Sequence, residues 1–374
     1  MNGSTTRFAS RDAAALTALG VVTAVFAFLS PDFLGARNLS MLSIELSITA
    51  ILALGMFLVI LPGHIDLSAG SGVGLVGAVT AVLITLHGWP APAAMLASTV
   101  LALLVWRAMG ALIVSQRMPA FIITLGGLLV FKGLFWLVIR STTVPVASGG
   151  QLNLLSRLTT TYLPPAAGWA LAAAVAAALL GRWALRARRP DAAYDAEAGF
   201  LKAFLAIQIT VLFVIVMNGF RGVPLPALLL ALCAAAIVTL TEHTAFGRRL
   251  YAIGGNEEAA HLAGIDVNAT VIGAFALMGG AVALTGFMQT AYAGASTTTV
   301  GDLMELDAVA ACVIGGTSLR GGRGDARGVL FGALIMAVLL NGMTLLAVSP
   351  EIKYIARGLV LSLAVWLDAR LARV

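Results

Sequence analysis

The chain has 374 residues, of which 60% are hydrophobic and 11% are charged. Soluble domains carry about 25% charged residues, so this composition excludes an ordinary soluble protein and predicts an all-α polytopic integral membrane protein. The formal net charge of +6 does not indicate nucleic-acid binding, because the basic residues fall in short loops rather than along one face.

About twelve apolar runs approach the roughly 20 residues that a membrane-spanning helix needs. In chain order they are 14–30, 43–61, 68–86, 93–114, 120–140, 166–181, 201–217, 226–240, 268–288, 304–318, 328–347 and 354–369. Several are short or rich in Gly and Pro, so we expect broken or re-entrant segments and about 10–12 transmembrane helices. We treat residues 1–374 as one transmembrane domain with helix groups at 14–181 and 201–374, joined by a polar loop at 182–200.

The loop charges predict the orientation in the membrane. If the N-terminus is cytoplasmic, most loop Lys and Arg residues fall on the cytoplasmic side, where such residues are enriched. We therefore expect both termini in the cytoplasm and the loop 182–200 on the same side. The first run is longer than the about 7–15 residues of a signal-peptide core, so we predict an uncleaved first span.

Sequence motifs for catalysis or cofactor binding are absent from the chain. Its three lysines, Lys132, Lys202 and Lys353, lie outside any GxxxxGK[ST] pattern, and its four histidines are scattered among different loops. The glycine-rich stretch at 319–328 follows no predicted strand, and Cys233 and Cys312 lie in apolar runs. We predict no enzymatic activity, no metal site and no cofactor bound by this chain.

The first polar break in the apolar pattern is "LPGHIDLSAGS" at 61–71. Pro62 and Gly63 favour the end of a helix, and either Asp66 or Ser68 could cap the next one. Small residues such as Gly70 then permit close helix packing. A plain hairpin turn and a substrate gate at a helix break both fit this pattern.

A second break, "VIGGTSLRGGRGDARGVLFGALIMAV" at 313–338, repeats the order of features in the first. Gly315 and Gly316 interrupt the apolar run, Ser318 follows, and a span rich in small residues comes next. We hypothesise that the two helix pairs are a parallel internal repeat.

The third break is "YAIGGNEEAAHLAGID" at 251–266, within a segment at 247–266 that the predicted topology places in the cytoplasm. Gly254 and Gly255 favour a sharp turn, and Asn256 is a good N-cap residue. Glu257 and Glu258 would then occupy the first turn of a helix reaching residue 263, and Gly264 would end that helix in the left-handed conformation.

This short helix needs a docking partner, because so few residues are marginally helical alone. Ala259, Leu262 and Ala263 form an apolar ridge at helical spacing. The adjacent acids disfavour the anionic membrane surface and favour a protein partner. The predicted docking residues are Gly254, Gly255, Asn256, Glu257, Glu258, Ala259, Ala260, His261, Leu262 and Gly264.

Four polar residues lie within or near predicted spans: Lys132, Gln289, Asp307 and Asn341. Polar residues at membrane depth are costly and are therefore candidates for a transport pathway. Hydrogen bonding between helices explains each of them equally well.

Four motifs carry a family resemblance, and they are "GHIDLSAGS", "MPAFIITLGGLLVFKGL" at 118–134, "GRRLYAIGGNEEAAHLAGI" and "LDAVAACVIGGTSLRGGRGDARGVLFGALI" at 306–335. Together they resemble the membrane permeases of ATP-binding-cassette (ABC) sugar importers of the ribose and xylose type, with the xylose type matching best. The resemblance extends over about residues 40–350. His64 and His261 depart from it, since the family commonly has Gly and Arg at these positions.

The resemblance implies import of a monosaccharide, D-xylose or a similar pentose, across the bacterial inner membrane. It implies a separate ATPase subunit that uses ATP and Mg and docks on 247–266, a periplasmic sugar-binding protein, and a second copy of this chain. His261 would make that docking mildly pH-sensitive. Ribose, another sugar, a nucleoside or a furanose signal remain alternatives within the family, and an ion-coupled secondary transporter is the alternative of another class.

Overall fold

The computed structural model describes residues 2–147, 152–188 and 195–371, and these ranges are almost entirely helical. The helices are α1 (Asn2–Leu29), α2 (Ala36–Ile60), α3 (Ala69–Thr85), α4 (Ala91–Gln116), α5 (Ala120–Ile139), α6 (Leu154–Thr160), α7 (Pro165–Ala187), α8 (Ala196–Asn218), α9 (Leu225–His243), α10 (Ala245–Gly255), α11 (Glu257–Leu262), α12 (Val267–Ala293), α13 (Met304–Ile314), α14 (Ala326–Leu345) and α15 (Pro350–Leu371). Four two-residue strands, β1 (Val144–Pro145), β2 (Tyr162–Leu163), β3 (Val223–Pro224) and β4 (Ala295–Ser296), pair as β1 with β4 and β2 with β3.

The predicted all-α polytopic fold is confirmed. Within the described residues, 8 helices are long and apolar enough to cross a membrane, and the shorter apolar helices Leu16–Leu29 and Ala69–Thr85 accompany them. Every predicted apolar run falls on a helix. The 11 residues of α13 extend only about 16 Å, which is too short for a hydrocarbon core of about 30 Å. Helix α13 is therefore a half-helix.

Helix α2 is the centre of the bundle. The rest of the protein buries 83% of the apolar stretch of α2. The buried share of the corresponding stretch is only 11–28% in α4, α5, α7, α8 and α9. All residues from Ala50 to Leu61 are buried, and α2 packs against α9, α12, α13 and α14. The outer helices instead present apolar side chains outward, as a lipid environment requires.

The loop predicted at 182–200 is shorter than expected. Helix α7 continues to Ala187, and α8 begins at Ala196. Alanine, leucine and arginine are strong helix formers, which extends α7. The Asp195 carboxylate accepts the backbone N–H groups of Glu197 and Ala198, both at 3.0 Å, and so starts α8. Residues 189–194 of the predicted loop lie outside the described residues.

Glycines on one face of α3 allow the close packing that the first break predicted. A Cβ atom on Gly74 would lie 2.6 Å from the Val300 carbonyl oxygen, and one on Gly77 would lie 2.9 Å from the Gly286 carbonyl oxygen. Gly301 faces Gly70 so closely that a Cβ on Gly301 would overlap the Gly70 carbonyl oxygen. Helix α3 therefore packs on α12 and on the loop before α13 through main-chain contact.

We predict that Gly301→Ala destabilises the protein more than Gly294→Ala. Both residues have a positive φ, of 85° and 73°, so both variants carry similar backbone strain. Only the Gly301 variant also overlaps Gly70, because no described atom lies within 4 Å of a Cβ on Gly294. Overpacking of this kind costs about 1–3 kcal/mol.

Thermal unfolding of the two purified variants in detergent measures the difference. The melting temperature of Gly301→Ala should be at least about 2 °C below that of Gly294→Ala. Equal melting temperatures would contradict the close contact between α3 and the loop before α13.

Candidate functional site

The three polar breaks of the sequence meet at one end of the bundle. The backbone N–H of Gly322, in the loop between α13 and α14, donates to the Leu61 carbonyl oxygen at 2.9 Å. A Cβ on Gly254, in the last turn of α10, would overlap the same oxygen. The Tyr251 hydroxyl donates to the Gly324 carbonyl oxygen at 2.9 Å. We call residues 61–64, 254–255 and 318–324 the coupling junction.

Main-chain atoms make most of the contact in the coupling junction. A Cβ on Gly321 would lie 2.8 Å from both the Gly63 nitrogen and the Leu61 carbonyl oxygen. Gly63, Gly321 and Gly322 also have positive φ values of 91°, 84° and 71°. Glycine is therefore required here both for conformation and for space. The end of α2, the end of α10 and the loop before α14 form one tightly packed unit.

Hydrogen bonds fasten the first break to neighbouring helices. Fully buried Asp66 accepts the backbone N–H and the hydroxyl of Ser68 through Oδ1, and the Trp106 indole N–H of α4 through Oδ2 at 2.6 Å. The Thr124 hydroxyl of α5 donates to the Ile65 carbonyl oxygen at 3.1 Å. Ser68 occupies the N-cap position of α3, but its hydroxyl binds Asp66. Asp66 thus holds the break in place.

The second break joins the half-helix α13 to α14. Gly315 follows the last residue of α13, and Gly316 has a φ of 94°. The Ser318 N–H donates to the Arg323 carbonyl oxygen at 3.0 Å, which closes a compact loop. Because the two breaks are in contact, they lie at the same end of the bundle. The internal repeat remains a prediction.

The segment 247–266, which we call the coupling segment after its predicted role, contains parts of two helices rather than one. Gly254 and Gly255 were predicted to form a turn, but they complete the last turn of α10, because Leu250 and Ile253 are buried and hold that helix. The chain bends one residue later. The Asn256 side chain accepts the Ala259 N–H at 2.9 Å, and Gly264 has a φ of 80°. The predicted cap and the predicted left-handed end of α11 are therefore confirmed.

Helix α11 exposes the ridge that the sequence predicted. Ala260 is buried against the protein, while Glu257, Glu258 and His261 are exposed. Leu262 has a large apolar side chain, and this side chain is 81% exposed. Ala259 and Ala263 are exposed beside it. An exposed apolar ridge flanked by acids is a surface suited to docking another protein.

Two ionisable residues near the junction have perturbed pKa values. Burial lowers the pKa of His64, and the Glu257 carboxylate partly offsets this effect, so the imidazole is neutral at pH 7. Gly63 rather than His64 takes the positive φ, which explains why a histidine fits. Burial, Asp325 and Glu242 raise the pKa of Tyr251 to about 12, so its hydroxyl stays protonated and donates to Gly324.

A cavity of about 390 Å³ lies against the middle of α2, at Glu45, Ile48 and Thr49. It lies among α2, α12, α13, α14 and α15. Two of the predicted pathway residues, Gln289 and Asp307, line it directly. The other two are bonded to its wall, since Asn341 binds Glu45 and Lys132 binds Asp302. All four predicted residues therefore converge on one cavity.

Glu45 of α2 is the residue that the sequence analysis missed. Its carboxylate accepts the Tyr292 hydroxyl at 2.8 Å and the Asn341 side-chain N–H at 3.0 Å. The Asn38 side chain in turn donates to Asn341 at 2.9 Å. Among the described residues no cation pairs with Glu45. An acid inside the apolar run 43–61 was the signal for it.

Most of the other charges around the cavity are paired, whereas Lys353 has no ion pair among the described residues and donates to the Thr344 hydroxyl at 3.1 Å. Asp307 forms an ion pair with Arg357 of α15 at 3.2 Å. Lys132 forms an ion pair with Asp302 and also donates to the Thr298 carbonyl oxygen at 3.0 Å. Lys132 and Asp307 thus brace neighbouring segments, and Asp307 also faces the cavity. Across residues 2–147, 152–188 and 195–371, no group of three or more His, Cys, Asp or Glu residues could hold a metal ion.

Comparison with known proteins gives consistent matches along the chain. The family model described as "Branched-chain amino acid transport system / permease component" matches residues 38–365. The chain is 41% identical to the Xylose transport system permease protein XylH of Escherichia coli (strain K12) over 346 residues, which cover 91% of this chain and 87% of that protein. It is 39% identical to the protein of the same name from Haemophilus influenzae over 361 residues, 94% of each chain.

A more distant relative is named for a different sugar. The chain is 33% identical to the Ribose import permease protein RbsC of Escherichia coli (strain K12) over 353 residues, 94% of this chain and 92% of that protein. No solved structure matches the chain. The family match covers most of the sequence, and these relatives are named as permeases. This chain therefore belongs to the permease family described as the branched-chain amino acid transport system permease component.

Proposed function

We propose that this chain is the membrane-spanning permease of an ABC importer for a monosaccharide. The observation that carries the proposal is the contact of Gly254, in the coupling segment, with the Leu61 carbonyl at the end of α2 and with the loop before α14. A surface helix with an exposed apolar ridge is thereby joined directly to the centre of a membrane bundle. A separate ATPase docking on α11, and supplying the ATP and Mg chemistry, would act on the bundle through this contact.

Helix α2 connects the coupling junction with the cavity. Its 25 residues extend about 38 Å, and its run from Ala50 to Leu61 is fully packed. One end carries Leu61 in the coupling junction, and Glu45 lies in the wall of the cavity about 24 Å along the helix from Leu61. Because a packed helix moves as a rigid body, a displacement at the junction shifts the cavity wall.

The cavity suits a neutral ligand with several hydroxyl groups. Glu45 can accept hydrogen bonds, and Gln289, Thr299 and Tyr354 add neutral polar groups to the lining. Asp307 and Arg357 neutralise each other, and the lining charges without an ion pair among the described residues, Glu45 and Lys353, are opposite in sign, so the lining has no excess charge that favours an ionic substrate. The 41% identity to a xylose permease, against 33% to a ribose permease, favours D-xylose or a similar pentose.

The membrane orientation and the assembly are part of the same proposal. Arg248 and Arg249 are exposed on α10, which favours the cytoplasm for the coupling segment and for both termini. The cavity then faces the periplasm of the bacterial inner membrane, where a sugar-binding protein would deliver its ligand. Each chain carries one coupling segment, so two copies in a closed dimer would engage two ATPase domains.

Reconstitution tests this function directly. Proteoliposomes containing the chain, its ATPase and its sugar-binding protein should take up labelled xylose only when ATP and Mg are supplied on the ATPase side. A protonophore should leave this uptake unchanged. Uptake that persists without ATP but collapses with the protonophore would instead identify an ion-coupled secondary transporter.

We predict that Gly254→Ala abolishes most transport, whereas Gly255→Ala does not. The two glycines are adjacent in the last turn of α10. A Cβ at 254 would overlap Leu61, while no described atom lies within 4 Å of a Cβ at 255. The clash costs about 1–3 kcal/mol, so we expect uptake to fall by about tenfold. Uptake rates of the two variants in the same proteoliposomes provide the matched comparison.

A second pair of variants separates docking from transmission. Glu258→Arg reverses a charge on the exposed face of α11 and should reduce co-purification of the ATPase. Gly254→Ala leaves that face intact, so its ATPase should still bind while uptake is lost. Normal co-purification with Glu258→Arg, or normal uptake by Gly254→Ala, would contradict this model of coupling.

We predict that Glu45→Gln slows sugar uptake by about tenfold, because a hydrogen bond to a charged group contributes about 1.5–3 kcal/mol. The matched control is Asp32→Asn, which neutralises an exposed acid before α2 and outside the cavity lining. Uptake measured at saturating binding protein, with ATPase co-purification as a check on folding, compares them. Equal uptake by the two variants would exclude Glu45 from the sugar path.

A further inference from the structure

A second cavity, of about 700 Å³, lies between α7 and α8 at the end of the bundle that holds the coupling junction. Helix α7 lines it with residues at helical spacing i, i+3, i+4 and i+7, namely Leu179, Arg182, Trp183 and Arg186. Asp195, Ala198, Gly199 and Lys202 line it from α8 at the same spacing. One face of each helix therefore turns toward this cavity.

The cavity carries an excess of positive charge. Arg182, Arg186 and Lys202 line it and form no ion pair with any described residue. The two acids of the lining already have partners, because Glu242 binds Arg327 at 3.0 Å and Asp195 caps α8. His243 completes the ionisable groups of the wall. The four cations of the lining exceed its two acids by two charges, which favours an anionic ligand.

Aromatic and leucine side chains lie on the two helices that line this basic cavity. The Trp183 indole N–H donates to the Ala196 carbonyl oxygen at 2.9 Å, and its ring lies 5.3 Å from the ring of Phe200. Leu185 and Leu201 are 66% and 55% exposed nearby on the same two helices. Aromatic rings of this kind concentrate at the boundary between headgroups and acyl chains.

We propose that this cavity binds the phosphate headgroup of an anionic phospholipid. The unpaired arginines match the geometry of phosphate oxygens, and the exposed leucines and aromatic rings provide contact for the acyl chains. A soluble anion would use only the first of these features. The bilayer is therefore the source of the ligand, and the inference is independent of the transported sugar.

Native mass spectrometry of the full chain tests the proposal. The purified and delipidated protein is titrated with phosphatidylglycerol or with phosphatidylcholine, and we expect preferential binding of phosphatidylglycerol. In Arg182→Gln/Arg186→Gln the affinity should fall by about fivefold for each charge removed. The matched control, Arg107→Gln/Arg117→Gln, removes two exposed arginines of α4 and its end and should leave the affinity unchanged.

A variant that should bind the lipid more tightly controls for losses of binding that are caused by misfolding. Glu242→Gln releases Arg327 from its ion pair, so phosphatidylglycerol should bind more tightly than in the unmodified protein. Equal binding of the two lipids would overturn the proposal. So would equal losses in the two arginine double variants, or saturation of the site by glycerol 3-phosphate at the lipid concentration.

Discussion

The structure depends on one contact in which main-chain atoms meet without intervening side chains. The Leu61 carbonyl oxygen accepts the Gly322 N–H, and Gly254 packs against the same oxygen. Leu61 is the C-cap of α2, the most buried of the eight candidate spanning helices, so a movement of α10 cannot be absorbed by a change of rotamer. It must displace α2 or break the contact. The packing of α12, α13 and α14 around α2 extends that constraint to the rest of the core.

The low dielectric of a membrane explains how the remaining polar groups are arranged. Asp66 receives three donors, and Asp307 and Lys132 each have an oppositely charged partner. Glu45 and Asp66 both have only neutral partners, but of these two only Glu45 lines the cavity. A carboxylate held only by neutral groups keeps acceptor capacity for a further donor. Glu45 is therefore a polar group of the core that can offer an acceptor to a ligand in the cavity.

Local signals in the sequence predicted much of this arrangement. Hydropathy located the spanning helices, and the cap at Asn256 and the left-handed Gly264 followed from residue type alone. The path of α10 through Gly254 and Gly255 was not predictable, since burial of distant packing partners overrides the local preference of glycine for turns. Glu45 meets Tyr292 and Asn341 across 247 and 296 residues, and no local pattern encodes such a meeting. The cavity between α7 and α8 likewise requires the packed helices.

The glycine contact at the junction also has a consequence for how such a chain can diverge. A contact made of main-chain atoms is insensitive to side chains elsewhere in the molecule. Under the proposed function, substitutions around Glu45 would change ligand preference and lipid-facing positions would drift, while the proposed point of force transmission stays the same. Substrate recognition and coupling to an ATPase would then evolve separately within one chain. Descendants of one ancestor would gain a new substrate while they keep the same contact for the ATPase.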